Sequence, residues 1–321
     1  MPKRKQKKKS RLRSNRMNSP KIFAGSSNPQ LAKAISFQSK IPIGRVDLGV
    51  FADGEIDVWI KDPVNNSNVF IIQSNSTPVN DHIIELALIA DALKRAGAHK
   101  ITAVIPYLGY SRKEKQSRPG EPISAKVVAD LITASGINKV VCLDLHADAI
   151  VGFFNVPVIY LSALAILAQR IKKEKLTDPI VVSPDTGGVK RARNFAGLLA
   201  APLAVMEKHR HVDKRDTMEI LSMSGEVRGD TAILIDDVIS TGGTIVENAN
   251  ALKKKGVKRI LVAATHGFFA GRAIEKLENS PVEKIFVTDS IEQNPPAGGK
   301  STKIEVVSIA SLIADCLKEE I

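Results

Sequence analysis

The sequence predicts an α/β protein with two mostly parallel sheets, each flanked by helices. Three observations carry this. Short β-rich apolar runs alternate with longer stretches of helical period, the pattern of a parallel sheet covered on both faces. The 321 residues exceed what one core usually holds, so two units of about 150 residues are expected. Glycines stand where three of the helical stretches must stop, Gly97, Gly136 and Gly256.

Residues 1–16 come first, with nine Lys or Arg and no acid; taking nine charges from the net +12 leaves +3. The basic character therefore belongs mainly to a tail, from Lys3 to Arg16, that lacks apolar periodicity and is expected to be disordered. Its charge suits electrostatic contact with RNA, DNA or an anionic surface. A solvated extension with no nucleic-acid role is the expected reading, and Met17 offers a second start. No apolar stretch follows, so the tail does not read as a secretory signal.

A strand-like segment at 21–24 opens the first unit, followed by strands at 69–73, 101–106 and 140–144. Between them, 81–96 carries Ile83, Leu86, Ala90 and Leu93 at helical spacing, and 123–135 repeats the plan. The second unit begins near 158–164, with strands at 180–183, 231–236, 259–264 and 284–288 and helices at 187–199, 244–255 and 308–317. The turns Thr186-Gly187-Gly188 and Thr241-Gly242-Gly243 suggest an internal duplication.

At 44% hydrophobic and 25% charged residues, the composition is that of a globular protein and too polar for a membrane bundle. No apolar run approaches the roughly 18 residues needed to cross a bilayer. Cys142 and Cys316 sit in separate apolar stretches and read as buried thiols, which fits a reducing, cytoplasmic compartment.

Chemistry is expected at the strand-to-helix turns, where strand C-termini and helix N-termini converge and backbone N–H groups are left for anions. Those turns are 144–148, 183–188 and 236–244. The last is the most specific: an apolar strand ends in Asp236-Asp237, and Ser240-Thr241-Gly242-Gly243-Thr244 opens a helix. The glycines let the backbone approach a phosphate, the hydroxyls add donors, and the helix end adds partial positive charge. The carboxylates cannot bind that phosphate, but they accept hydrogen bonds from vicinal sugar hydroxyls. Together they describe a sugar phosphate. Gly298-Gly299-Lys300-Ser301 looks like half of a Walker loop and fails as one. Asn294 stands at the first glycine position, and 304–307 downstream reads as strand.

The Asp236 to Thr244 loop resembles that of phosphoribosyltransferases and ribose-phosphate pyrophosphokinases. The rest of the chain is similar to the pyrophosphokinase (phosphoribosyl pyrophosphate synthetase) family in particular. The resemblance runs through Phe51-Ala52-Asp53-Gly54-Glu55, Tyr107 to Arg112, Asp144-Leu145-His146-Ala147 and Ser183-Pro184-Asp185. It implies two phosphoribosyltransferase-like domains, at 17–158 completed by about 306–321, and at 159–305. It implies ATP and ribose 5-phosphate as substrates, with AMP and 5-phosphoribosyl 1-pyrophosphate as products. Mg2+ is the implied cofactor, held by His146 and Asp185, although this hard ion prefers oxygen ligands. ATP would be bound by Asp53, Glu55, Arg112, Lys113 and His146, with Asp53 and Glu55 reaching it from a neighbouring subunit of a homo-oligomer. Ribose 5-phosphate would be bound by Asp236, Asp237, Ser240, Thr241, Gly242, Gly243 and Thr244.

The cation-dense segment 206–215 has no helix or strand period and reads as a mobile loop. It resembles the family's catalytic loop, which makes Lys208 and Arg210 the catalytic cations. Several positions depart from the family pattern. Lys113 and Glu114 replace a Gln-Asp pair, Ser240 replaces an Asp, and His209 and His211 stand where Arg and Pro are usual. None removes a required charge. Ala149 and Ile159 replace a Gln and an Asp of the stretch after His146, a region that better-known members of the family use in regulation, which puts control by phosphate and ADP in question. A base-salvage phosphoribosyltransferase would share the loop without needing His146, Lys208, Arg210 or a second domain. A non-catalytic relative would be expected to have lost the cations or the loop acids.

Overall fold

A computed structural model describes residues 18–210, 218–224, 229–293 and 301–321. The basic tail at 1–16, residues 211–215 of the cationic segment and the glycine-lysine run at 298–300 lie outside them.

The first half runs β1 (Asn18–Ala24), α1 (Pro29–Ser39), β2 (Val46–Val50), β3 (Ile56–Ile60), β4 (Ser67–Ile72), α2 (Val79–Arg95), β5 (Lys100–Ile105), α3 (Ser124–Ala134), β6 (Lys139–Leu143) and β7 (Val158–Leu161). A 3₁₀ turn at Asp148–Phe153 precedes β7. Five of these strands form a parallel sheet in the order β1-β4-β5-β6-β7, while β2 and β3 make a separate antiparallel hairpin.

The second half runs α4 (Leu164–Ile171), β8 (Pro179–Ser183), α5 (Val189–Leu199), β9 (Leu203–Arg210), β10 (Met218–Ser224), β11 (Thr231–Ile239), α6 (Gly243–Lys254), β12 (Arg259–Gly267), α7 (Ala273–Glu278), β13 (Lys284–Thr288), β14 (Ile304–Val307) and α8 (Ala310–Glu319). Its seven strands are ordered β10-β9-β8-β11-β12-β13-β14 and are parallel except for the β9/β10 pair.

Alternation along the central strands explains why each sheet is covered on both faces. In β4, Val69 and Ile71 join the core beneath α2 and α3, whereas Phe70 and Ile72 join the core shared with α1 and α8. In β11, Ala232 and Leu234 meet α6 and α7, and Ile233 and Ile235 meet α4 and α5. Strands apolar on both faces need two helical layers to leave water.

Several sequence expectations change here. α1 and the β2/β3 hairpin were not foreseen. β7 runs to Leu161, past the division expected at residue 158, and Ile159 packs against the core between the first sheet and α8. The cationic segment begins as strand, not loop: β9 continues to Arg210, with Lys208 opposite Ile220 and Arg210 opposite Met218. Its pairing comes from β10, which the charge density of 206–215 gave no hint of. The two glycine turns offered as a trace of duplication both lie in the second sheet, on the neighbouring strands β8 and β11, so they do not relate the halves.

Candidate active site between the two halves

β11 delivers the acids. Thr231 to Ile235 are buried, and the next two residues follow with Asp236 about one-fifth exposed and Asp237 buried; the strand runs on to Ile239, past the acids that the sequence placed at its end. The chain then turns through Ser240-Thr241-Gly242 into α6. Gly242 sits at φ +73, and a Cβ there would also meet Leu277 at 3.3 Å, so the turn demands glycine. The N-cap of α6 is Gly242, which brings no capping side chain to the helix N-terminus. Ser240 anchors the loop from behind, its carbonyl accepting from the Ala270 N–H at 2.9 Å.

β6 delivers the histidine across the junction. Asp144, at φ +36 and buried, ends the strand. Its Oδ2 accepts from the Ala163 N–H at 2.8 Å and from Thr265 Oγ1 at 2.7 Å, and its carbonyl accepts from His266 Nε2 at 3.3 Å. These bonds tie the end of β6 to β12 in the other half. Two residues on, His146 Nδ1 donates to Asp237 Oδ2 at 2.8 Å, which leaves Nε2 as the ring nitrogen available to a ligand.

β8 and α5 complete the centre. Asp185 is exposed after Ser183-Pro184, with Oδ1 accepting from the Gly188 N–H at 3.0 Å and its carbonyl accepting from Ser183 Oγ at 2.7 Å. Arg191, on the first turn of α5, places Nη1 3.4 Å from Asp236 Oδ1 and 3.2 Å from Asp237 Oδ1. The sequence reading missed Arg191. Its only local signal was a cation at the start of the helix after the Asp185 turn. A pocket of about 310 Å³ opens beside these groups, lined from both halves by residues including Asp144, His146, Tyr160, Lys190, Arg191 and Asn194.

Three charges within contact distance set the protonation states. Burial alone would raise Asp237, but the His146 hydrogen bond and the Arg191 charge outweigh it and hold the carboxyl well below its usual range. Asp236 goes the other way: burial, then the charge of Asp237, lifts it well above the usual carboxylate value, with Arg191 opposing. The bond to Asp237 raises His146, partly offset by burial. The arrangement is a carboxylate pair with one firm negative charge, clamped between an arginine and a histidine.

The other expected residues lie elsewhere. Asp53 and Glu55 occupy the exposed tip of the β2/β3 hairpin, which packs on α2; Gly54 is at φ +93 and the Glu55 N–H donates to Asp53 Oδ1 at 3.2 Å. Arg112 and Lys113 are exposed on the long connection after β5, with Lys113 Nζ 3.7 Å from Glu121. Lys208 and Arg210 lie on β9, whose side chains beyond Met206 are outside the described ones. Among the described residues, no three of His, Cys, Asp and Glu gather closely enough to hold a metal by themselves.

Comparison with known proteins places this arrangement. A family model described as the N-terminal domain of ribose phosphate pyrophosphokinase matches residues 20–136, and one described as a phosphoribosyl synthetase-associated domain matches 213–320. A ribose-phosphate pyrophosphokinase of Caldanaerobacter subterraneus subsp. tengcongensis is 46% identical over 301 residues, covering 94% of each chain. One of Fusobacterium nucleatum is 43% identical over 302 residues, again 94% of each. The crystal structure of phosphoribosylpyrophosphate synthetase from Mycobacterium smegmatis superposes with a TM-score of 0.87 at 34% identity, over 94% of this chain and 99% of that one. The fold is accordingly two phosphoribosyltransferase-like domains, each a mostly parallel sheet flanked by helices. With both halves matched and relatives aligned over nearly the full length, the chain belongs to the ribose-phosphate pyrophosphokinase family.

Proposed function

We propose that this enzyme transfers the β,γ-diphosphoryl group of ATP to O1 of ribose 5-phosphate, giving AMP and 5-phosphoribosyl 1-pyrophosphate for nucleotide synthesis. One observation carries the reading. Asp236 and Asp237 lie near the C-terminal end of β11, a few residues before the glycine turn that opens α6, so sugar hydroxyls and a phosphate find their partners on one segment.

Ribose 5-phosphate occupies that segment. Its 5-phosphate is held by Ser240, Thr241, Gly242, Gly243 and Thr244, and its ring hydroxyls donate to Asp236 and Asp237. Arg191 and His146 hold the two carboxylates in place before the sugar arrives. Lys208 contributes a point charge and Arg210 a planar fork toward the reacting phosphates, which need charge neutralisation and in-line placement, not a covalent intermediate. Arg112, Lys113 and His146 are the ATP residues of the same subunit.

Magnesium fits the donors at this place. A hard dication that keeps water and substrate phosphates needs only one or two protein ligands, and the exposed Asp185 carboxylate and the free Nε2 of His146 supply that number. Bound there, it would neutralise charge on the polyphosphate.

The ATP site is completed by a second copy of the chain. Asp53 and Glu55 ride on a hairpin with large exposed apolar side chains, Val50 at 71%, Trp59 at 62% and Phe51 at 55%, which a neighbouring subunit would cover. The domain division follows the two sheets, with α8 returning to the first, where Ile313 and Leu317 pack against the core of β1 and β4. No helix among the described residues is long and apolar enough to cross a membrane, and we place the enzyme in the cytoplasm. The test is AMP formation from ATP and Mg2+ with and without ribose 5-phosphate. AMP should form only with the sugar, and AMP that is absent or independent of the sugar would reject the assignment.

A further inference from the structure

Two turns on neighbouring strands carry the groups that face the substrates: 183–188 after β8, with Asp185, and 240–244 after β11. Their spacing decides how the polyphosphate meets the sugar. The Asp185 turn is held internally by Ser183 Oγ and the Gly188 N–H. A third bond reaches it from the other turn's helix. Asn248, on α6 one turn beyond Thr244, is fully buried, and its Nδ2 donates to the Thr244 carbonyl at 2.9 Å and to the Pro184 carbonyl at 3.3 Å.

This asparagine works against the stability of its own helix. Asn is a weaker helix former than Ala, and its Oδ1 is buried without a hydrogen-bond partner, a desolvation cost with no return. Reversing the amide would only turn Oδ1 toward two carbonyls, so the surroundings dictate the orientation. An apolar residue would serve packing better. What Asn248 adds is a link between the Pro184-Asp185 turn and the first turn of the phosphate-binding helix.

We propose that Asn248 is a positioning residue, a strut that fixes the distance between the Asp185 turn and the sugar-phosphate loop. The inference rests on the diphosphoryl-transfer reading. Alignment of two bound substrates is where small displacements cost most, so the strut acts on turnover more than on the binding of either substrate alone.

The test is Asn248→Ala in the full chain. Ala removes the unpartnered acceptor and favours the helix, which offsets the loss of two hydrogen bonds and some buried volume, so the variant should melt within a few degrees of the parent. Its kcat should fall about tenfold while KM for ATP and for ribose 5-phosphate each stay within roughly threefold. Hydrogen exchange supplies an independent signature. Ribose 5-phosphate alone should slow exchange in both 240–245 and 185–188 of the parent, and only in 240–245 of the variant. An unchanged kcat, a kcat loss accompanied by a melting temperature lowered by about ten degrees or more, or protection of 185–188 that survives in Asn248→Ala would each overturn the strut. A parent that forms no AMP and shows no sugar-dependent protection would overturn the diphosphoryl-transfer reading itself, and the strut with it.

Discussion

The end of β6 and the end of β11 meet across the two halves through the His146–Asp237 hydrogen bond, yet they offer ligands different things. After β11 the chain turns through a left-handed glycine into a helix whose N-cap has no side chain, and in the proposed function the backbone there is the binding surface. After β6 the chain enters a short 3₁₀ turn, and what reaches the site is a side chain, His146. The first half therefore lends a histidine to a cradle built by the second. The lesson is that a sheet of this type supplies positions, while the turn after each strand decides whether they bind phosphate or support a neighbour.

The largest effect should come from outside both strand ends. Lys208→Ala should lower kcat about a thousandfold with an unchanged melting curve, because it removes charge stabilisation met mainly in the transition state. Normal turnover would show that the cradle works without β9. Next, Asp236→Asn combined with Asp237→Asn should weaken ribose 5-phosphate binding roughly a hundredfold and ATP binding much less, by loss of charge-assisted bonds to hydroxyls. Equal losses, read by calorimetry, would erase the distinction between a sugar cradle at β11 and an ATP side elsewhere. Gly242→Ala should cost about 1–2 kcal/mol of stability through the left-handed backbone, seen as a melting shift of a few degrees. The turn after β6 makes no such demand, since Ala147 already stands there in extended backbone.

The smallest effect sharpens the link between the ends. The bond to Asp237 raises His146, so its contribution to stability is fully present below about 6.5, the unfolded value, and is lost as pH rises through the folded value above it. Asp237 is lowered, so its share persists until pH falls below the usual carboxylate value. In metal-free protein, the melting advantage of the parent over His146→Asn should thus be greatest near pH 5 to 6, between those two limits. It should shrink toward pH 8. An advantage that grows with pH would contradict the pairing.

Most strands and helices were legible because the period of their apolar residues is a local property. The Asp236 to Thr244 turn was legible for the same reason: acids, hydroxyls and glycines lie within one short segment. α1 has a local start signal, with Asn28 accepting from the Leu31 N–H and Pro29 at the first helical position. The hairpin of β2 and β3 is half exposed and so lacks a strong apolar run. What could not be read was the junction. Asp144 finds Thr265, and His146 finds Asp237, across some ninety to one hundred and twenty residues of chain. No local pattern records which strand ends will face each other. Arg191 belongs to the same class, since its role exists only because β8 and β11 are neighbours.

We propose that the β11 cradle presents O1 of ribose 5-phosphate to the β-phosphorus of ATP. It is tested most directly by following the phosphorus resonances of ATP, Mg2+ and ribose 5-phosphate with the enzyme. The β and γ phosphorus atoms should leave together and appear as a diphosphate on C1 of the sugar, in step with AMP. Transfer of the γ phosphorus alone, with ADP as the other product, would contradict it.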